Sequence, residues 1–198
     1  MAFSNFKSIA DVQEKYPIKY SESIFITSQP VELSDHFIQD FKFYQENIDI
    51  FTSEASRSEI IISPLLREIY KKYYTKYSFW IQKSISYDEI LSGTPDYIIA
   101  IRSPLGKTFL EKPILIVVEA KKNDFEQGWG QCLAELIAAQ KLNKDYLHPV
   151  HGIVTDGNLW QFGKLEKELF VKNLENYTID KLSCLYGALN YIMENLSK

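Results

Sequence analysis

Ile114-Leu115-Ile116-Val117-Val118-Glu119-Ala120-Lys121 is the stretch on which the fold turns. Its first five residues are all apolar, without the alternation of a half-solvated strand, and so mark a central strand covered on both faces. Side chains alternate along a strand, so Glu119 and Lys121 project from one face, about 7 Å apart at about 3.3 Å per residue. A carboxylate and an ammonium therefore meet where the strand leaves the core.

Working upstream, Gly93-Thr94-Pro95-Asp96-Tyr97-Ile98-Ile99-Ala100 reads as a preceding strand with an aspartate at its start. Between the two lies SPLGKTFLEKP, whose Pro104, Gly106 and Pro113 read as a hairpin connection. Antiparallel pairing across that hairpin sets the start of the first strand beside the end of the second, so Asp96 and Glu119 converge. Two carboxylates on adjacent strands make a hard-oxygen site suited to Mg2+, which keeps waters and takes a substrate phosphate oxygen as a further ligand. Lys121 would then position a nucleophile or stabilise charge growing on phosphorus.

The rest of the chain supplies cover for this sheet. A short helix from Ser8 carries Ile9, Val12 and Tyr16, and an extended stretch follows through Ile18, Ile24 and Ile26. A helix from Ser34 places Phe37, Ile38, Phe41 and Tyr44 at helical spacing. From Ser53, a capping residue, a second helical pattern runs to Tyr74, which Pro64 should kink or split. Phe79 to Ile85 reads as extended. A helix is expected from about Phe125 to Leu142, then strands at His151–Thr155 and Trp160–Leu165 around the Asp156-Gly157 turn, a further strand at Leu169–Leu174, and a last helix from Ile179. The expectation is one α/β domain, a mixed sheet flanked by helices, with residues 1–52 as an N-terminal helical and extended appendage packed on a core of 53–198.

Composition bounds the function. At 198 residues the chain is long enough for one domain, and 45% hydrophobic with 24% charged residues excludes disorder as the main state. The net charge of −4 gives no bulk attraction to nucleic acid, so any such contact must be local. Ser63 to Lys83 is the one stretch of that kind: Arg67, Lys71, Lys72, Lys76 and Lys83 against Glu68, interleaved with tyrosines. A solvated helix face over a Tyr-lined core explains it equally well. Cys132 and Cys184 stand far apart in helical sequence, and His148 and His151 point to opposite faces, so neither a disulfide framework nor a zinc site is expected. No run is apolar for the roughly 18 residues that span a bilayer, and MAFSNFKSIADVQEKY lacks a secretory apolar region. A cytoplasmic protein without membrane contact is expected.

Pro95-Asp96, 22 intervening residues and Glu119-Ala120-Lys121 together resemble the signature of the PD-(D/E)xK nuclease superfamily. SEASRSEIIISPLLREI, the EAKK strand end and VHGIVTDGNLWQFGKLE are similar to the nuclease domains of type I restriction motor subunits and related small bacterial proteins. The resemblance covers roughly residues 53–165. It implies a restriction-endonuclease-like fold and Mg2+-dependent phosphodiester hydrolysis of nucleic acid, DNA first, with Mn2+ as a substitute metal. It also implies a metal site of Asp96 and Glu119 completed by a helix glutamate, Glu59 or otherwise Glu54, with Lys121 orienting water. Gln131, on the helix after the Lys121 strand, matches a Gln many members carry. Where type I nuclease domains have a Tyr four residues later, this chain has Glu135.

Plainer readings stand beside these. Glu119 and Lys121 could be a solvated ion pair, Asp96 a turn residue, Glu54 and Glu59 helix-start charges, and Gln131 a surface residue. The alternative function is a catalytically idle module of the same fold that binds nucleic acid or a protein partner. A homodimer and protein partners that supply specificity are further expectations.

Overall fold

The protein is described by a computed structural model over residues 3–122 and 124–196. Its elements in chain order are α1 (Ile9–Gln13), β1 (Lys19–Ser23), α2 (Asp35–Asn47), α3 (Glu54–Arg57), a π turn (Ser58–Ile62) and α4 (Ser63–Tyr73). There follow β2 (Tyr77–Ile81), β3 (Ile85–Ser86), β4 (Ser92–Gly93), β5 (Tyr97–Ile101), β6 (Ile114–Ala120) and α5 (Phe125–Asn143). The chain closes with β7 (Val150–Thr155), β8 (Leu159–Glu166), β9 (Leu169–Asn173), β10 (Tyr177–Thr178) and α6 (Leu182–Asn195).

The main sheet runs β1-β9-β8-β7-β6-β5-β2, with β10 also on β8. The β6–β7 and β1–β9 pairs are parallel, and the other pairs in the sheet are antiparallel. All seven residues of β6 are buried, as its unbroken apolar run requires of a strand covered on both sides. The pleat divides the core in two. Leu115, Ile116, Val118 and Ala120 pack with Phe37, Leu65, Ile69 and Leu189 from α2, α4 and α6. Val117, Ile98 and Val154 pack on the other face with Val12 of α1 and Leu133, Leu136 and Ile137 of α5.

One expectation is corrected in detail. Phe79 to Ile85 is not one strand: β2 stops at Ile81, Gln82 takes a left-handed φ of 47°, and Ile85 pairs with Gly93 in a separate two-stranded sheet. Pro64 falls where the α-helical run divides, as expected: the π turn separates α3 from α4, and Pro64 stands in the first turn of α4. The π turn before it lets the Ser63 N–H reach the Ser58 carbonyl, so the missing proline donor falls where the ladder has already been reset. Within residues 1–52, β1 continues the main sheet by parallel pairing with β9.

Within that segment, Ser8 caps α1 and accepts a hydrogen bond from the Asp11 N–H at 3.2 Å. Its backbone also lies directly against α5 at Gly130, where a Cβ would meet Ser8 N at 2.6 Å. The approach is possible only without a side chain. Gly130→Ala should therefore push α1 off α5 and lower stability by about 1–3 kcal/mol, the usual cost of overpacking, read as a lower urea midpoint at unchanged slope.

Candidate functional site

The antiparallel register decides what meets at the end of β6. Tyr97 pairs with Val118, so Asp96, just before β5, lies level with Glu119 and Ala120. The Ala120 N–H donates to Asp96 Oδ2 at 2.8 Å, which fixes that carboxylate at the strand end. Val117 and Ile98 belong to the core on the α5 side, and Val118 and Ile99 to the opposite one. By alternation Glu119 and Lys121 turn toward α5, and Asp96 stands at the strand end beside them, where it also lines the cleft with Glu54 and Tyr97. Lys121 Nζ stands 3.2 Å from Glu119 Oε2, and its own N–H is held by the Thr155 carbonyl at 2.8 Å.

Glu119 is not a solvated ion-pair member: it is 1% exposed. Facing it from α5 is Glu135, 0% exposed, whose Oε1 accepts from Gln131 Nε2 at 3.1 Å. Gln131 is thus a buried member of this cluster rather than a surface residue. Both Glu119 oxygens and Glu135 Oε2 are buried without a conventional donor, while the two carboxyls lie within hydrogen-bonding reach of each other. That contact requires one carboxyl to hold a proton. Burial, then the charge of Glu119, pushes Glu135 well above the carboxylate range, so it is the proton holder. Sequence reasoning singled out Glu135 only as a departure from a family pattern. The stronger signal was local, since a glutamate inside Cys132-Leu133-Ala134-Glu135-Leu136-Ile137-Ala138, on a helix with little polar face, must be buried.

The charges are tightly linked. Burial raises Glu119 to about 7, with the charge of Asp96 adding to the effect and Glu135 and Lys121 opposing it. Burial also raises Asp96, against the Ala120 N–H and Lys121, with Glu54 adding to the rise. Burial alone would lower the Lys121 ammonium, but Glu119, Asp96 and Glu54 outweigh it and hold it above its usual value.

A cleft of about 270 Å3 opens beside Asp96, bounded by Glu54, Ser58, Glu59, Gln82 and Tyr97. Both helix glutamates reach it. At about 100° per residue a regular α-helix would turn them about 140° apart, and the wider π turn narrows that divergence. Glu54 is the nearer partner: its Oε2 accepts from the Lys122 N–H at 3.0 Å, and its charge acts on Asp96 and Lys121. The charge of Glu59 acts on Tyr97. Arg57 anchors this helix start, donating from Nη1 to the Asp156 carbonyl at 3.2 Å and from Nη2 to the Phe51 carbonyl at 3.2 Å. The loop between β7 and β8 and the Glu54 end of α3 are thereby tied together beside β6.

The carboxylate oxygens at this strand end are of the donor type that a hard divalent cation takes. One oxygen each of Asp96 and Glu54 takes a backbone N–H, which leaves the other available, while Glu119 is engaged by Lys121 and Glu135. Among the described residues no group of three or more His, Cys, Asp or Glu side chains stands placed to hold a metal ion. Mg2+ does not need such a group, being held commonly by one or two carboxylates with waters and phosphate oxygens. The histidines stay apart from this region: His148 pairs with Asp145 on the surface, and burial lowers His151 to about 4.

The basic stretch is partly committed elsewhere. Lys71 pairs with Glu68 at 2.8 Å, Lys72 lies over Tyr186 and Lys83 over Trp80. Its Tyr70 stacks on Phe79, which stacks in turn on Tyr97. Among the described residues no helix is long and apolar enough to cross a membrane. The chain matches no protein-family model and none of the curated proteins.

The carboxyl pair makes stability depend on pH. A group whose folded pKa is raised holds its proton in the folded state above pH 4.5, where the unfolded chain has released it, so folding becomes less favourable as pH rises. Glu135→Gln keeps a donor toward Glu119 without this penalty. Its melting temperature relative to the wild-type chain should rise between pH 5 and pH 8, as followed by circular dichroism, and a gain that is flat with pH would show that the two carboxyls do not share a proton.

Proposed function

We propose that the chain is a metal-dependent nuclease that hydrolyses phosphodiester bonds of nucleic acid, DNA first, on a restriction-endonuclease-like core. The observation that carries this reading is the gathering of Asp96, Glu119 and Lys121 at the end of β6, with Glu54 reaching in from α3. Asp96 and Glu119, helped by Glu54, would hold Mg2+ or Mn2+, and the ion when bound supplies positive charge against the phosphate group. Lys121, held charged by three carboxylates, orients the attacking water and faces the charge that develops on the phosphate oxygens. Glu135 and Gln131 keep the Glu119 carboxylate from turning away.

The same burial favours a second reading, the idle module that binds nucleic acid or a protein partner. Both Glu119 oxygens are closed off from solvent, and an active site must open that carboxylate to its ion. The two readings separate in one experiment. Plasmid and single-stranded DNA are incubated with Mn2+ and with Mg2+, using the wild-type chain, Lys121→Ala and Asp96→Ala, with Mn2+ binding followed by calorimetry. The nuclease reading expects cleavage by the wild type alone, reduced by about 100-fold or more in each variant, and Mn2+ binding that Asp96→Ala removes. No cleavage and no Asp96-dependent Mn2+ binding supports the idle module, and equal cleavage by all three proteins refutes the proposed site.

A further inference from the structure

Near the C-terminal end of α5, away from the Glu119 cluster, lies a cavity of about 480 Å3. Tyr16, Ile18 and Tyr146 form its aromatic and apolar walls, and Gln140 lines it from the helix. Gln140 is 3% exposed and its Nε2 has no hydrogen-bond partner. A buried amide in that state costs free energy and calls for an explanation. Turned into the cavity, it would present a donor and an acceptor side by side.

The rim is charged and braced. Lys141 and Lys167 stand there against Glu168. Lys167 sits at a left-handed φ of 53° in the turn between β8 and β9, and its N–H donates to the Tyr146 carbonyl at 2.9 Å. The turn that carries one lysine is therefore fastened to the loop that carries one aromatic wall. Lys141 Nζ is 5.1 Å from the centre of the Tyr87 ring, which steadies the other cation.

A cavity of this size with aromatic walls and few polar groups is the kind that takes a small molecule. Its contents call for a flat ring, a paired donor and acceptor on the ring edge, and a negative group at the rim. A glutamine amide matches the N6 donor and N7 acceptor of adenine, tyrosines pack against the base, and lysines receive a phosphate. We propose that this cavity binds an adenine mononucleotide, with Gln140 on the base edge and Lys167 and Lys141 on the phosphate. The site is separate from the proposed hydrolase centre and does not depend on that activity.

Calorimetric titration of the full chain with 5′-AMP tests it, with adenosine, 5′-CMP and inorganic phosphate as comparison ligands. The variants are Gln140→Leu, close in volume, and Lys167→Gly, which suits the left-handed backbone; circular dichroism melts verify that both fold. The expected result is saturable, submillimolar binding of 5′-AMP, weakened about tenfold or more by Gln140→Leu, by Lys167→Gly and by loss of the phosphate in adenosine. Absence of saturable binding by 5′-AMP at millimolar concentration overturns the proposal. So does equal binding of 5′-CMP or inorganic phosphate, or unchanged affinity in both folded variants.

Discussion

The constraint on which the structure depends is the burial of one carboxylate, Glu119, at the end of a strand that solvent does not reach. An isolated ionised carboxylate in such a place costs several kcal/mol or more, and proteins neutralise it or surround it with partners. Here both happen. Lys121 supplies a cation at 3.2 Å, and Glu135 supplies a neutral carboxyl that is fixed in turn by Gln131. None of the partners is close in sequence except Lys121, and each arrives through a different piece of the fold. The pleat of β6 brings the lysine, and the packing of α5 over β6 and β7 brings Gln131 and Glu135. Gly128 lies against the Lys121 stem and Val154, where a side chain would hold the helix off the sheet.

The helices on the opposite face serve the same strand end from outside. Arg57 fastens α3 to the turn after β7, and this holds Glu54 where it accepts from the Lys122 N–H. The π turn then lets the chain run past Pro64 into α4 without losing that anchor. Its widened geometry also brings Ser58 and Glu59 to the cleft beside Asp96.

Much of this could be read from the sequence because it follows from short-range periodicity. The unbroken run Ile114 to Val118 fixed the central strand, and the two prolines and the glycine between Ala100 and Ile114 fixed the hairpin. From those, the meeting of Asp96 with the end of β6 follows. What could not be read depends on how distant elements rotate about their axes. The choice between Glu54 and Glu59 turns on a π turn that leaves no mark in periodicity. The pairing of Glu119 with Glu135 needs the azimuth of α5 over the sheet. The place of β1 in the main sheet rests on parallel pairing with a strand about 150 residues later, a long-range contact that local pattern does not encode.

The electrostatics of the cleft bear on the proposed activity independently of any sequence resemblance. Asp96, Glu54 and Glu59 line this space, with the Glu119–Glu135 pair and Lys121 at the adjoining strand end and the buried Arg57 turned to the Asp156 and Phe51 carbonyls. Sharing a single proton, the pair still leaves a negative charge beside Asp96. A phosphodiester brought against this surface would meet carboxylates at short range, and in a partly desolvated cleft the repulsion is much larger than in bulk water. One lysine, already committed to Glu119, does not reverse that field. A chain with a net charge of −4 has no surplus of cations elsewhere to compensate by long-range steering. In the proposed reading, the charge that admits a phosphate group to this acidic cleft comes with a divalent cation.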